Sequence, residues 1–361
     1  MRHIEEIQIL RAFAALAIVI HHGMFEAVAF AAVRGTAFAP PRLLPWPAGV
    51  DLFFVISGFV MVLSSERLYG KPGGPRSFIW RRLARIVPLY WATTALVIAA
   101  SFLLPGAVSG ERPSLMHALA SFAFIPMLRP DGTTQPVYSL GWTLNFEMFF
   151  YLVFALFLPL ERRKAVAGIA LALIGLWIFG VVARPTNTAL AFWSSPMILL
   201  FVAGMGIATL RLEGITLPLG LRLFMIVVAL LLLWLDPLGM TSDPLAILQE
   251  FDLTRLLAWG VPAVLLVAAG ALREAKPSEA PKSGGIWTFL VALGEASYAL
   301  YLIHPFVFRP LRELLLRSGL ASVIGAWPYL ALLVVTASLA ALLVHWLAER
   351  PVTIYLQAKR A

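Results

Sequence analysis

The sequence predicts an all-α fold: a polytopic integral membrane bundle of about ten transmembrane helices, plus a short re-entrant or interfacial helix. Hydrophobic residues make up 60% of the 361 positions and charged residues only 13%, against about 25% charged in a typical soluble protein. The hydrophobic residues form long runs, and Lys and Arg cluster between those runs. This composition argues against a soluble enzyme, a disordered chain and a disulfide scaffold.

Ten apolar segments have the character of membrane helices, which need about 20 residues to cross the hydrocarbon core. In chain order they are residues 8–30, 49–65, 86–104, 138–160, 165–183, 193–210, 220–235, 255–272, 287–308 and 322–348. A shorter apolar stretch, 114–128, is predicted to be re-entrant or interfacial. No internal repeat interrupts the pattern, so residues 1–361 are predicted to form a single domain.

The distribution of basic residues predicts the orientation of these segments. With ten spans and the N-terminus inside, 19 of the 28 Lys and Arg residues fall on the inner side. The positive-inside rule therefore predicts a multi-pass membrane protein with both termini in the cytoplasm. On this interpretation the net charge of +9 reflects membrane orientation and not a nucleic-acid partner.

The first span contains ionisable side chains, which are costly inside a membrane and are functional candidates by default. Arg11 and His22 are separated by close to three helical turns and therefore share one face of the helix. His21 points about 100° away, which suggests a supporting or lipid-edge position. The alternative is that both histidines are interfacial residues near the end of the span.

Two carboxylates follow in later spans. Asp51 begins the second span, where it either caps the helix or acts as a catalytic acid, with Ser57 further along the same helix. Glu147 lies about 13 Å into the fourth span, too deep to reach the interface easily. We therefore expect Glu147 to be paired with a cation or to be functional. Three polar neighbours on that helix are supporting candidates: Trp142, Thr143 and Asn145.

Two further groups complete the set. Tyr298 and His304 lie in the ninth span, where such residues are either site components or interface anchors. Arg81, Arg82 and Arg85 precede the third span, and the last two share a helix face suited to phosphate oxygens. The alternative for these arginines is ordinary anchoring at the inner surface. The chain has no cysteine, which excludes thiol catalysis, and no metal-binding motif is predicted.

Taken in order, these motifs resemble the membrane-bound acyltransferase family 3, and within it the exopolysaccharide acetyltransferase type. The resemblance covers about residues 4 to 355 and rests on five segments. They are 8–17 leading to His22, 51–58, Arg82-x-x-Arg85 with 88–91, 141–147 and 297–305. One departure is Leu200, since members of this type often have a Glu before the corresponding Phe-x-x-Gly.

The resemblance implies transfer of an acyl group, usually acetyl from acetyl-CoA, to a hydroxyl of a cell-surface or exported polysaccharide. It implies essential roles for Arg11 and His22, and donor handling by Arg82 and Arg85. No permanently bound cofactor is expected, and acyl-CoA is a substrate. The expected location is the bacterial cytoplasmic (inner) membrane. The expected partners are the lipid bilayer, acyl-CoA, a carbohydrate acceptor and polysaccharide assembly machinery.

A mechanism consistent with these motifs makes His22 the general base, oriented by Asp51 or Glu147. The span count places both carboxylates in the outer half of the bundle and the arginine pair at the inner face, so a long pantetheine arm would connect them.

Two other functions fit a bundle with buried charges: a membrane carrier of a glycan or lipid-linked sugar, and a non-catalytic scaffold. Inverted repeats are typical of many membrane carriers, and the sequence shows none that would favour this alternative.

Overall fold

The structure, a computed structural model, describes residues 4–40, 43–103, 112–240, 253–274 and 284–359, and within these ranges it contains helices and no β-strand. The helices are α1 (Glu5–Val33), α2 (Gly49–Ser64), α3 (Gly74–Leu103), α4 (Leu115–Phe122), α5 (Trp142–Phe157), α6 (Arg162–Ala183), α7 (Thr188–Trp193), α8 (Leu199–Leu212), α9 (Leu219–Leu235), α10 (Leu253–Ala271), α11 (Gly285–Glu295), α12 (Ser297–Arg317) and α13 (Ala326–Ala358).

The helices confirm the predicted membrane bundle. Within the described residues, seven helices are long and apolar enough to span a bilayer, or eight if α11 and α12 count as one bent span. Two shorter apolar helices, Pro196–Leu212 and α9, correspond to the remaining two predicted segments. The stretch 114–128 contains only the eight residues of α4, about 12 Å of helix, which cannot cross the roughly 30 Å hydrocarbon core. The chain is a multi-pass membrane protein.

The predicted ninth span, 287–308, corresponds to two helices joined by a bend. The chain bends by 82° between α11 and α12. Gly294, just before the bend, lies directly against the backbone of Gln8 in α1, where a larger residue would clash. The bend turns α12 into the bundle, so that Ser297 and His304 are fully buried.

The third span begins earlier than predicted. The helix α3 starts at Gly74 and runs through Pro88 to Leu103. Arg82 and Arg85 are therefore in the third and fourth turns of a continuous helix, and not in a loop before it.

In the described part of the chain, two helices contain a short π-helical segment that ends two residues before a proline. Leu256–Gly260 precedes Pro262 in α10, and His345–Glu349 precedes Pro351 in α13. Proline lacks the N–H that would continue the α-helical hydrogen-bond ladder, and a local widening of the helix accommodates this loss.

The helices α2 and α8 form a close contact of the core through two glycines. A Cβ atom on Gly58 would overlap the backbone of Phe201, and one on Gly204 would overlap the backbone of Val55. Because each glycine faces backbone, which cannot move aside as a side chain can, the two helices approach closely.

We expect Gly204→Ala to destabilise the protein by about 1–3 kcal/mol, because the new methyl group overpacks the contact with α2. Gly206→Ala on the same helix is the matched control, since a Cβ there meets open space. The control should be neutral or slightly stabilising, because alanine favours helix more than glycine. Thermal unfolding of both variants in detergent measures the difference, and equal midpoints would contradict the close-packing argument.

Candidate functional site

Five helices converge on a cavity of about 100 Å³ that we call the arginine cavity. Its polar lining comes from α1, α2, α3, α5 and α12. Those side chains are Arg11, Ser57, Arg82, Arg85, Thr143, Glu147, Tyr151, Ser297, Tyr298 and Tyr301. Seven of them were predicted as site residues from the sequence, all except Tyr151, Ser297 and Tyr301.

The arginine cavity carries an excess of positive charge. Its three arginines face a single carboxylate, Glu147, and within the described residues no ion pair joins Glu147 to any of them. The Nη1 of Arg11 donates to Gln8 Oε1 at 3.2 Å, and Tyr151 OH donates to Glu147 Oε2 at 3.2 Å. Buried charges are costly unless they are paired, so this arrangement suits an anionic ligand.

A second carboxylate lies close to the cavity. Glu349, in the π-helical segment of α13, interacts electrostatically with Arg11. Its Oε2 accepts a hydrogen bond from His345 Nδ1 at 2.9 Å. Neither residue was singled out from the sequence, because the last span reads there as a simple apolar run ending in charges. The pair places one more acidic group beside the arginines.

Tyrosines of α12 close the cavity on one side. Tyr298 OH donates to Ile86 O at 2.6 Å, and Tyr301 OH donates to Leu140 O at 2.8 Å. Thr143 Oγ1 donates to Tyr301 OH at 3.1 Å. Ser297 is fully buried, and its hydroxyl makes no hydrogen bond with the described part of the chain. The bend before α12 is what brings these hydroxyls to the cavity.

His22 is paired with His304. The Nδ1 of His22 lies 2.9 Å from Nε2 of His304, and the two rings are nearly parallel, with an interplanar angle of 19°. His304 Nδ1 lies 3.1 Å from the carbonyl oxygen of Leu300. His21, by contrast, places its ring edge-on against Phe25.

These contacts assign the tautomers of both rings. A carbonyl oxygen only accepts hydrogen bonds, so His304 Nδ1 carries a proton and donates to Leu300. With both rings neutral, His304 Nε2 is then an acceptor, and His22 Nδ1 donates to it. The lone pair of His22 therefore lies on Nε2, which is the atom able to take a proton from a substrate.

The histidine pair lies beyond the arginine cavity along the bundle. His304 is about 9 Å further along α12 than Tyr298, and His22 is about 16 Å further along α1 than Arg11. The cavity itself brings Arg82, Arg85 and Glu147 together. The prediction that the arginine pair lies at the inner face, away from Glu147, is therefore wrong. The helix α3 begins before the predicted start of the third span, so both arginines lie within the helix.

Asp51 is engaged elsewhere. Its Oδ2 pairs with Arg255 Nη2 at 3.0 Å, and the two side chains are 0% and 1% exposed. The guanidinium of Arg255 also lies 4.7 Å from the ring centre of Trp259. Within the described residues neither Asp51 nor Glu147 contacts His22, so the expected carboxylate partner of His22 is replaced by His304.

The other predicted residues have varied positions. Arg81 is exposed and does not line the arginine cavity. Trp142 packs edge-on against Phe54 and Phe146. Asn145 is fully buried, and neither polar atom of its side chain has a hydrogen-bond partner in the described residues. The described ranges contain no group of three or more potential metal-ligating side chains.

Comparisons with known proteins identify a matching family and related sequences. The acyltransferase 3 family model, described as an acyltransferase domain, matches residues 4–346. The exopolysaccharide production protein ExoZ of Rhizobium meliloti (strain 1021) is 37% identical over 314 residues, covering 84% of this chain and 88% of that protein. The acyltransferase MdmB of Streptomyces mycarofaciens is 29% identical over 335 residues, covering 83% of this chain and 78% of that protein.

No solved structure shows a significant match to the chain. The family model nevertheless covers nearly the whole sequence, including both the arginine cavity and the histidine pair. The relative from Rhizobium is similar over most of its own length as well. The chain therefore belongs to the acyltransferase 3 family of membrane proteins.

Proposed function

We propose that this protein is an O-acyltransferase that moves an acyl group, expected to be acetyl, from acyl-CoA to a hydroxyl of a cell-surface or exported polysaccharide. Membership of the acyltransferase family supports the reaction type, and the similarity to ExoZ, an exopolysaccharide production protein, supports a polysaccharide acceptor. The observation that carries the proposal is the arrangement of three cavity arginines below a histidine whose Nε2 is free to act as a base.

The arginines supply the donor site in this proposal. CoA carries phosphates, and arginine binds phosphate oxygens through several N–H donors held in a planar fork. Arg11, Arg82 and Arg85 outnumber the one carboxylate of the cavity, so an anionic group entering it meets unpaired cations. The roughly 16 Å from Arg11 to His22 along α1 is the distance that a pantetheine arm would bridge.

His22 performs the proton transfers. The acceptor hydroxyl gives its proton to His22 Nε2 while its oxygen attacks the thioester carbonyl carbon. The C–S bond then breaks, and the leaving thiolate takes the proton back from the imidazolium. His304 stabilises the imidazolium because its Nε2 accepts the hydrogen bond from His22 Nδ1 throughout.

The proposed orientation places both termini in the cytoplasm of a bacterial cell, where acyl-CoA is found. The excess of basic residues on the side of the N-terminus supports it. On this orientation the donor enters from the cytoplasmic side, and His22 lies toward the outer end of α1. Polysaccharide assembly machinery is the expected neighbour of the enzyme on that side.

Transfer of a labelled acetyl group tests the function directly. The purified protein is incubated with ¹⁴C-acetyl-CoA and a de-O-acetylated polysaccharide from the organism that produces the protein. The alkali-labile label on the polymer is then counted. The proposal predicts label on the polymer that depends on the protein. A carrier of glycans would leave the acetyl group on CoA, and that result would contradict the proposal.

Arg82→Gln and Arg85→Gln should each raise the KM for the acyl donor by about 10- to 100-fold, because each removes a charge-assisted hydrogen bond worth about 1.5–3 kcal/mol. The KM for the carbohydrate should stay unchanged. Arg81→Gln is the matched control, since Arg81 lies on the same helix but is exposed. Steady-state kinetics with each substrate varied in turn measure the effect, and equal donor KM values for all three variants would exclude these arginines from donor binding.

A further inference from the structure

A second cavity, separate from the arginine cavity, opens between α1, α2, α9 and α10, and we call it the lateral groove. Its volume is about 550 Å³, and its lining is almost wholly apolar. Representative lining residues are Phe13 of α1, Leu52 of α2, Leu230 of α9 and Leu266 of α10. Arg11 faces the arginine cavity and Phe13 faces the lateral groove, so α1 forms a wall between the two spaces.

The lateral groove has the length of one membrane leaflet. It follows α1 from Glu6 to Ala17 and α9 from Arg222 to Leu233, which is about 16 Å along each helix. The hydrocarbon core of a bilayer is about 30 Å thick, so the groove extends from one interface to the middle of the membrane. Trp46 and Trp259 close the far end.

Within the described residues, the charged side chains that line the groove lie at its mouth, on the side of the N-terminus. Arg222 lines the mouth itself, and Arg273 pairs with Glu6 beside it. Arg211 donates to the carbonyl of Ala271 at the same end of α10. Because Arg273 is paired with Glu6, Arg222 is a basic side chain of the mouth that has no ion pair within the described residues.

The terminal nitrogens of Arg222 are available as hydrogen-bond donors within the described residues. Its hydrogen bond within the described residues runs from Nε to Ala269 O at 2.6 Å, which leaves both terminal nitrogens with their protons available. The side chain is half-buried at the mouth. A guanidinium held in this way binds a phosphate without first breaking another contact.

We propose that the lateral groove is a binding site for one anionic glycerophospholipid, with an acyl chain in the groove and the phosphate on Arg222. The occupant must be apolar over the length of one leaflet and anionic at one end, which matches a phospholipid of the leaflet on the side of the N-terminus. A free glycan does not fit, because the groove offers few polar side chains away from its mouth. This site is independent of the proposed acyl transfer.

Native mass spectrometry of the full-length protein tests the site. Phosphatidylglycerol or phosphatidylcholine with the same acyl chains is added to the protein in detergent, and the fraction of protein that retains one lipid is measured. We expect preferential retention of phosphatidylglycerol, reduced about tenfold by Arg222→Gln. Arg76→Gln, which removes an exposed arginine predicted to lie on the same side of the membrane, is the matched control.

A second variant tests the groove itself. Leu230→Trp narrows the groove from an exposed position, so the fold should be preserved while phosphatidylglycerol retention falls. Thermal unfolding without added lipid checks the fold. Equal retention of the two lipids, equal retention by the Arg222 and Arg76 variants, or unchanged retention in Leu230→Trp would each overturn the proposal. Because the readout is lipid binding, a failure here leaves the acyl-transfer proposal untouched, and the reverse also holds.

Discussion

The His22→Gln variant is expected to lose about 10²- to 10⁴-fold in the rate of acyl transfer, the range that a positioned general base contributes. The tautomers assigned by the contacts of His304 leave Nε2 of His22 as the basic atom. Glutamine preserves some of the volume and polarity of the ring but cannot take up a proton near neutral pH. The measurement is the turnover rate with saturating acetyl-CoA and polysaccharide.

The adjacent histidine provides the matched control for this variant. His21→Gln changes the same residue type at the next position, but the His21 ring packs against Phe25 and not against His304. We expect this control to retain most of the activity and both variants to retain donor binding. If His22→Gln transferred acetyl at the rate of the unmodified protein, His22 would not be the base.

His304 should behave as a positioning residue for His22. His304→Phe removes the acceptor for His22 Nδ1, so kcat should fall while the KM for acetyl-CoA stays the same. His304→Gln retains a side-chain oxygen that can accept this hydrogen bond, so it should recover part of kcat. A purely structural role would instead lower the thermal stability of both variants equally, with no difference in kcat between them.

The periodicity and composition of the sequence predict much of the bundle. Ten apolar segments correspond to ten helical regions, because a run of apolar residues has few alternatives to a membrane helix. The 3.6-residue repeat also indicates that Arg11 and His22 share a face, and both point toward α12 in the structure. Local rules are sufficient for features that lie within one helix.

Features that depend on two helices could not be predicted in this way. Hydropathy measures how apolar a segment is and not its direction, so the 82° bend before Ser297 is invisible to it. Asp51 pairs with Arg255, which is 204 positions away in the sequence, and no local sequence pattern predicts this pairing. The depth of Glu147 relative to Arg85 depends on where α3 begins, and amphipathic turns rich in arginine resemble a loop at the membrane surface.

The Asp51–Arg255 pair gives the largest expected effect on stability. Asp51→Asn should lower the free energy of unfolding by about 3–5 kcal/mol, because it leaves the guanidinium of Arg255 buried without its counter-charge. Thermal unfolding in detergent measures this loss. An unchanged midpoint would mean that Arg255 does not depend on Asp51.

The double variant Asp51→Leu with Arg255→Met separates the structural role of this pair from a catalytic one. Replacing both buried charges with apolar side chains of similar size is often neutral or stabilising, so the double variant should recover most of the stability that Asp51→Asn loses. Since Asp51 lies in the first turn of α2, which contributes several residues to the arginine cavity, a rigid anchor at this point would also position Ser57. If the double variant is stable and still transfers acetyl, Asp51 acts by anchoring α2. A stable double variant without activity would instead assign Asp51 a direct part in the reaction, which the absence of a described contact with His22 argues against.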